Sequence, residues 1–69
     1  MLKQEPIYLP LRCKQVLEMI VAGCTNKEMA AQLGITENTV KHHVTHVYEI
    51  IGVNSRYFAR IRAKELGIG

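Results

Sequence analysis

The sequence has no aspartate, no tryptophan, a single phenylalanine, two cysteines and two prolines, and it contains no long apolar run. Two cysteines are too few for a disulfide scaffold. No stretch approaches the ~20 apolar residues of a membrane span, or the apolar centre of a signal peptide, so a soluble, cytoplasmic chain is expected. No repeat or low-complexity segment is present. A chain of 69 residues holds one small core and one domain, with no room for the deep cleft of an enzyme. Neither catalysis nor a cofactor is expected. The missing aspartates also tilt the charge. Nine lysines and arginines face six acidic residues, all glutamate, for a formal net charge of +3, a modest bias towards a polyanionic partner.

What the chain does have is concentrated between Thr25 and Ile51, in TNKEMAAQLGITENTVKHHVTHVYEII. Thr25 and Glu28 have the spacing of a capping box, which opens a helix over about Asn26 to Leu33. Met29, Ala30 and Leu33 form its apolar stripe. The small Ala30 allows a second helix to cross closely, and Gly34 can take the positive φ that stops the first one. Thr36 caps the second helix, Glu37 to Ile51, in which Val40, Val44, Val47, Tyr48 and Ile51 recur on one face at helical spacing. Two helices joined only by Gly34, Ile35 and Thr36 cannot lie antiparallel, and this is the pattern of a helix-turn-helix. The opposite face of the second helix carries Asn38, Lys41, His42, Thr45 and Glu49. Such donors and acceptors can read base edges, and a helix of that length, about 22 Å, can lie in a major groove. A merely solvated helix face is the competing reading.

The flanks complete an all-α, four-helix domain with the helix-turn-helix at its centre. Residues 1–8 are mixed in character, interrupted by Pro6, and read as a linker or arm; residues 9–69 form the domain. A first helix begins at Leu9 and Pro10, with proline suited to a first turn, and buries Cys13, Val16, Leu17, Ile20 and Val21 before Gly23 ends it. Gly52, Val53 and Asn54 break the third helix. Ser55 then caps a fourth that runs to about Leu66, buries Ala59, Ala63 and Leu66, and stops at Gly67. Cys13 and Cys24 fit buried free thiols. A zinc site built from them with His42, His43 and His46 has only the i, i+4 spacing of His42 and His46 in its favour, and lacks the closely spaced cysteine pair of structural zinc.

The runs Thr25-Asn-Lys-Glu-Met-Ala, Leu33-Gly-Ile-Thr-Glu-Asn-Thr-Val-Lys-His-His-Val and Ile51-Gly-Val-Asn-Ser-Arg closely resemble the LuxR-type, or GerE-like, domain of bacterial transcription regulators. The resemblance spans about Leu9 to Ile68, and several separated motifs agree in order and spacing. It implies a winged-helix-like fold without a wing and specific binding of double-stranded DNA in transcription regulation. It also implies that Lys41, His42 and Thr45 face base edges, with Lys41 the best candidate for guanine, and that Thr25, Asn26, Lys27, Thr39, His46 and Arg56 hold phosphates. His43 matches a family histidine but flanks the buried stripe, where packing and a phosphate contact are equally open. The family pairs through its fourth helix. Here that helix turns Tyr57, Phe58, Ile61 and Lys64 outward, which implies a weak homodimer assisted by DNA. Longer members carry an upstream receiver or small-ligand domain that this chain does not contain.

The chain departs from the family pattern in places. Where the first helix usually reads Leu-Thr-x-Arg-Glu-x-Glu-Val-Leu, Pro10, Cys13 and Gln15 replace the threonine and both glutamates. This removes two carboxylates that could link helices. Arg60 stands where an apolar residue is usual, and Ile50 and Phe58 where polar ones are common. The rival from another class is a protein-interaction module on the same fold. An acidic or apolar outer face on the third helix would favour it; Lys27, Lys41 and Thr45 speak against it.

Overall fold

Each helix begins at a residue that caps, or dispenses with, the free amide groups of a helix start. In the computed structural model, which describes residues 7–69, the order is α1 (Leu11–Val21), α2 (Asn26–Leu33), α3 (Glu37–Ile51) and α4 (Arg56–Glu65). There is no strand among the described residues, so the domain is all-α and has no wing. Ile7 and Tyr8 are not helical; the rest of the expected arm lies outside the described residues.

Thr25, Thr36 and Ser55 each accept a hydrogen bond from the backbone N–H three residues on. These are the caps expected for α2, α3 and α4. Around α2 the box is complete, because the Glu28 carboxylate also accepts the Thr25 N–H at 2.8 Å. Pro10 sits one step earlier than expected. It is the N-cap of α1, with φ −54° and ψ 149°, and makes no side-chain bond. Its carbonyl accepts the Lys14 N–H at 2.9 Å, so the extended ψ places proline just ahead of the first turn. At the other end of the chain α4 closes at Glu65, with Leu66 as its C-cap.

The turn of the helix-turn-helix depends on Gly34. Its φ of 68° is left-handed, a conformation that costs a residue with a Cβ about 1 to 2 kcal/mol. This lets the N–H of Ile35 fold back to the Ala30 carbonyl at 3.1 Å. The chain then leaves α2 abruptly and enters α3 within three residues.

One core joins the four helices. Val16, Leu17 and Ile20 of α1, Met29 of α2, Val40 and Val47 of α3, and Ala59 and Ala63 of α4 are fully buried, with Cys13, Ala30, Val44 and Ile51 nearly so. Val21, Leu33, Tyr48 and Leu66, expected in the buried stripes, are half-buried and pack at the core's margin. The main packing pairs are α1 with α3, α1 with α4, and α2 with α3. The long α3 therefore rests on α1 and α2, which leaves its opposite face open. The one ion pair among the described residues, Arg62 with Glu65 at 3.2 Å, lies within α4. No salt link joins two helices there, in keeping with the glutamates missing from α1.

Candidate nucleic-acid interface

Period 3.6 decides which side chains of α3 reach solvent. Burying Val40, Val44, Val47 and Ile51 turns Asn38, Lys41, His42, Thr45 and Glu49 outward, and all five are exposed. The three residues expected at base edges, Lys41, His42 and Thr45, thus share one open face. His42, Thr45, His46 and Glu49 line a shallow hollow on it. Glu49 is the acidic member and lies towards the far end of the helix. His43 is half-buried beside the stripe.

The residues expected at phosphates are less uniform. Lys27 is exposed and extends from the first turn of α2. Thr25 is spent on the capping box, so the N–H groups of Asn26 and Lys27, which have no carbonyl partner inside the helix, are left at the positive end of the α2 dipole. Glu28 already brings a negative charge to that end. Its carboxyl pKa is lowered, first by the Thr25 backbone N–H and then by the Thr25 side chain, so it stays ionised through neutral pH. Thr39 accepts a hydrogen bond from the Thr36 hydroxyl at 3.0 Å, and its own O–H remains as a donor.

Three of the expected phosphate residues, Arg56, Asn26 and His46, are engaged inside the protein. Arg56, half-buried at the start of α4, donates from Nη1 to the Cys24 carbonyl at 2.9 Å and from Nη2 to Asn26 Oδ1 at 2.6 Å. Asn26 and Arg56, each expected at a phosphate, therefore meet each other across the surface. His46 has its Nδ1 3.7 Å from the Cys13 sulfur. Burial pushes the Cys13 thiol up, so it is protonated at neutral pH and can donate to Nδ1. In the tautomer that accepts at Nδ1, the ring hydrogen is on Nε2, the nitrogen turned away from the thiol. Cys24 and Cys13 are both free, and no three His, Cys or Glu side chains converge on a metal position among the described residues.

These internal bonds are the part of the site that sequence reasoning missed. Arg56 carried one local signal. It is the first residue of a helix whose first turn has no acid, and a cation there opposes the helix dipole. Such a residue is kept for a contact outside its own helix. The strip expected at a dimer contact stands free. Tyr57, Phe58 and Ile61 are 68%, 52% and 42% exposed, the Tyr57 and Phe58 rings meet edge to face at 5.2 Å, and Lys64 is exposed alongside.

A small all-α domain whose central helix pair offers an open polar helix beside an open helix start is a helix-turn-helix DNA-binding domain. Comparison with known proteins gives the family. The model of the bacterial regulatory proteins of the luxR family matches residues 9–63, and the chain belongs to that family.

Several relatives are named regulators. The chain is 34% identical over 59 residues to the spore germination protein GerE of Bacillus subtilis, covering 86% of this chain and 80% of GerE. It is 34% identical over 61 residues to the HTH-type transcriptional regulator AlkS of Pseudomonas putida, covering 88% of this chain but 7% of AlkS. With the transcriptional regulatory protein DesR of Bacillus subtilis it shares 38% identity over 56 residues, 81% of this chain and 28% of DesR. The crystal structure of ChrA, the response regulator of a heme-sensing two-component system, superposes with a TM-score of 0.78 at 32% identity, covering 94% of this chain and 31% of ChrA. Apart from GerE, these relatives are several times longer than this chain. The domain's role is DNA binding in transcription regulation.

Proposed function

We propose that the domain binds duplex DNA with α3 in the major groove, where Lys41, His42 and Thr45 meet base edges and set the sequence preference. The observation that carries this is the division of α3 into a buried valine face and an exposed face bearing those three side chains. Lysine donates to guanine O6 and N7, and threonine and histidine can pair with several bases. The start of α2, with Asn26 and Lys27, holds a phosphate beside the groove, with Thr25 as the cap that keeps this helix end in shape. Thr39 contributes its hydroxyl hydrogen and His46 its Nε2–H to phosphates on the flanks of α3. Arg56 belongs to the same region through its bond to Asn26. The exposed face of α3 is neither acidic nor broadly apolar, which favours DNA over a protein partner.

One helix with three reading side chains specifies a short half-site, so two copies act together. The exposed Tyr57, Phe58 and Ile61 strip, with Lys64 beside it, is the contact, self-complementary about a twofold axis. It is too small to hold a stable dimer, and duplex DNA brings the copies together at half-sites about 34 Å, one helical turn, apart. The domain works in the cytoplasm as the DNA-reading part of a regulator, and the greater length of AlkS, DesR and ChrA is compatible with an upstream receiver or ligand-binding domain.

The test is selection of bound duplexes from a random pool, followed by footprinting. Recovery of inverted half-sites with protection centred on the major groove is expected. A pool that shows no enrichment after several rounds would remove the sequence-specific reading.

A further inference from the structure

We infer that Arg56 is a positioning residue for the phosphate contact at the start of α2, acting through Asn26, and not itself a phosphate ligand. The inference rests on the DNA-binding reading above.

Arginine only donates, so the Asn26 atom that faces its Nη2 at 2.6 Å is the amide oxygen. The other end of the amide, Nδ2 with its two hydrogens, is thereby turned away from Arg56, and it has no protein partner among the described residues. Beside the free N–H groups of the first α2 turn, it adds two N–H donors available to an anion. The second arm of the fork, from Nη1 to the Cys24 carbonyl at 2.9 Å, fixes the guanidinium against the turn that leads into α2. Each terminal nitrogen thus spends an N–H on the protein, and the rigid planar fork makes the two bonds from two nitrogens in fixed geometry, which the single nitrogen of a lysine does not reproduce.

The crosslink also joins elements that are not a main packing pair, since α2 packs on α3 and α4 packs on α1. The start of α2 is therefore held towards α4 mainly by Arg56. α4 itself gains nothing from a cation at its first position, with no acid in that turn.

The experiment measures affinity for a selected duplex at several salt concentrations, together with thermal unfolding, for the parent, Arg56→Lys, Arg56→Met, Asn26→Ala, Asn26→Asp and the Arg56→Met/Asn26→Ala pair. Arg56→Lys keeps the charge and loses the fork. Both Arg56 variants should bind about tenfold more weakly, as should Asn26→Ala, the scale of one hydrogen bond to a charged acceptor. The paired variant should be no weaker than Asn26→Ala alone, and the salt dependence of Arg56→Lys should match the parent's. Should the Arg56 variants fail to fold, Asn26→Asp decides. It keeps an oxygen for Arg56 and suits a helix start, so it should melt no lower than the parent, yet it replaces the outward donor by an acceptor and should also bind about tenfold more weakly. Full affinity in Arg56→Lys or in Asn26→Asp would overturn the inference. So would losses that multiply in the paired variant, with a salt slope about 0.9 shallower in Arg56→Met, the mark of a lost phosphate charge. Those results leave the DNA-binding reading intact, whereas a parent that binds no duplex removes both.

Discussion

Ala30 is where the helix-turn-helix is most sensitive to one added side chain. It is 7% exposed on the face of α2 that packs against α3. Ala30→Leu adds three carbons to that crossing, and the fully buried Met29 beside it in α2 and Val40 of α3 have little room to withdraw. Overpacking of this kind costs about 1 to 3 kcal/mol. For a domain of this size each kcal/mol lowers Tm by about 4 to 8 °C. The neighbouring Ala31 lies on the same helix and is exposed, and leucine is nearly as good a helix former as alanine. Ala31→Leu should therefore stay within about 0.5 kcal/mol of the parent. Thermal unfolding followed by circular dichroism compares the three proteins directly. Ala30→Leu melting with the parent, or Ala31→Leu falling as far, would show that the packed face of α2 has been assigned wrongly.

Acid should weaken the fold partly through Glu28. Its folded pKa is lowered by Thr25, so its contribution is present above the unfolded carboxyl pKa, about 4.3, and is lost as pH falls through the folded value. The stability difference between the parent and Glu28→Gln should then shrink below about pH 4; a difference that instead grew in acid would contradict the capping box. Thr25→Ala, which removes the cap itself, should cost about 0.5 to 2 kcal/mol in urea unfolding, and a neutral result would mean that the α2 start is held by other contacts. Ile61→Asp should lower affinity for a duplex with two half-sites while leaving single half-site binding and Tm nearly unchanged. Sedimentation with and without duplex checks the dimer, and strict monomers indifferent to the substitution would refute the α4 contact.

The fold was readable because its signals are local. The Thr25 and Glu28 box, the Thr36 and Ser55 caps and the glycine after α2 lie within a few residues of the helix ends they control, and the valines of α3 recur at helical period. The start of α1 was displaced by a residue, since proline suits both the cap and the first turn and only ψ at Pro10 distinguishes them. The outward face of α3 followed from the same period. The wiring of the phosphate region did not. The Arg56 bonds to Asn26 and Cys24 span 30 and 32 residues, and the Cys13 contact with His46 spans 33. No local pattern records which side chains meet over such distances. Arg56 and Asn26 each fitted a solvent-facing role when read alone; their pairing depends on how α4 returns past the start of α2.

The central claim, that α3 reads bases while the start of α2 holds the backbone, is tested most directly by comparing Lys41→Ala with Lys27→Ala on two duplexes, the selected site and a scrambled one, at several salt concentrations. Lys41→Ala should cost about 1 to 3 kcal/mol on the selected site and much less on the scrambled one, while Lys27→Ala should weaken both about equally and reduce the salt slope by about 1. Equal losses on both duplexes for Lys41→Ala, or an affinity that does not change with salt, would contradict it.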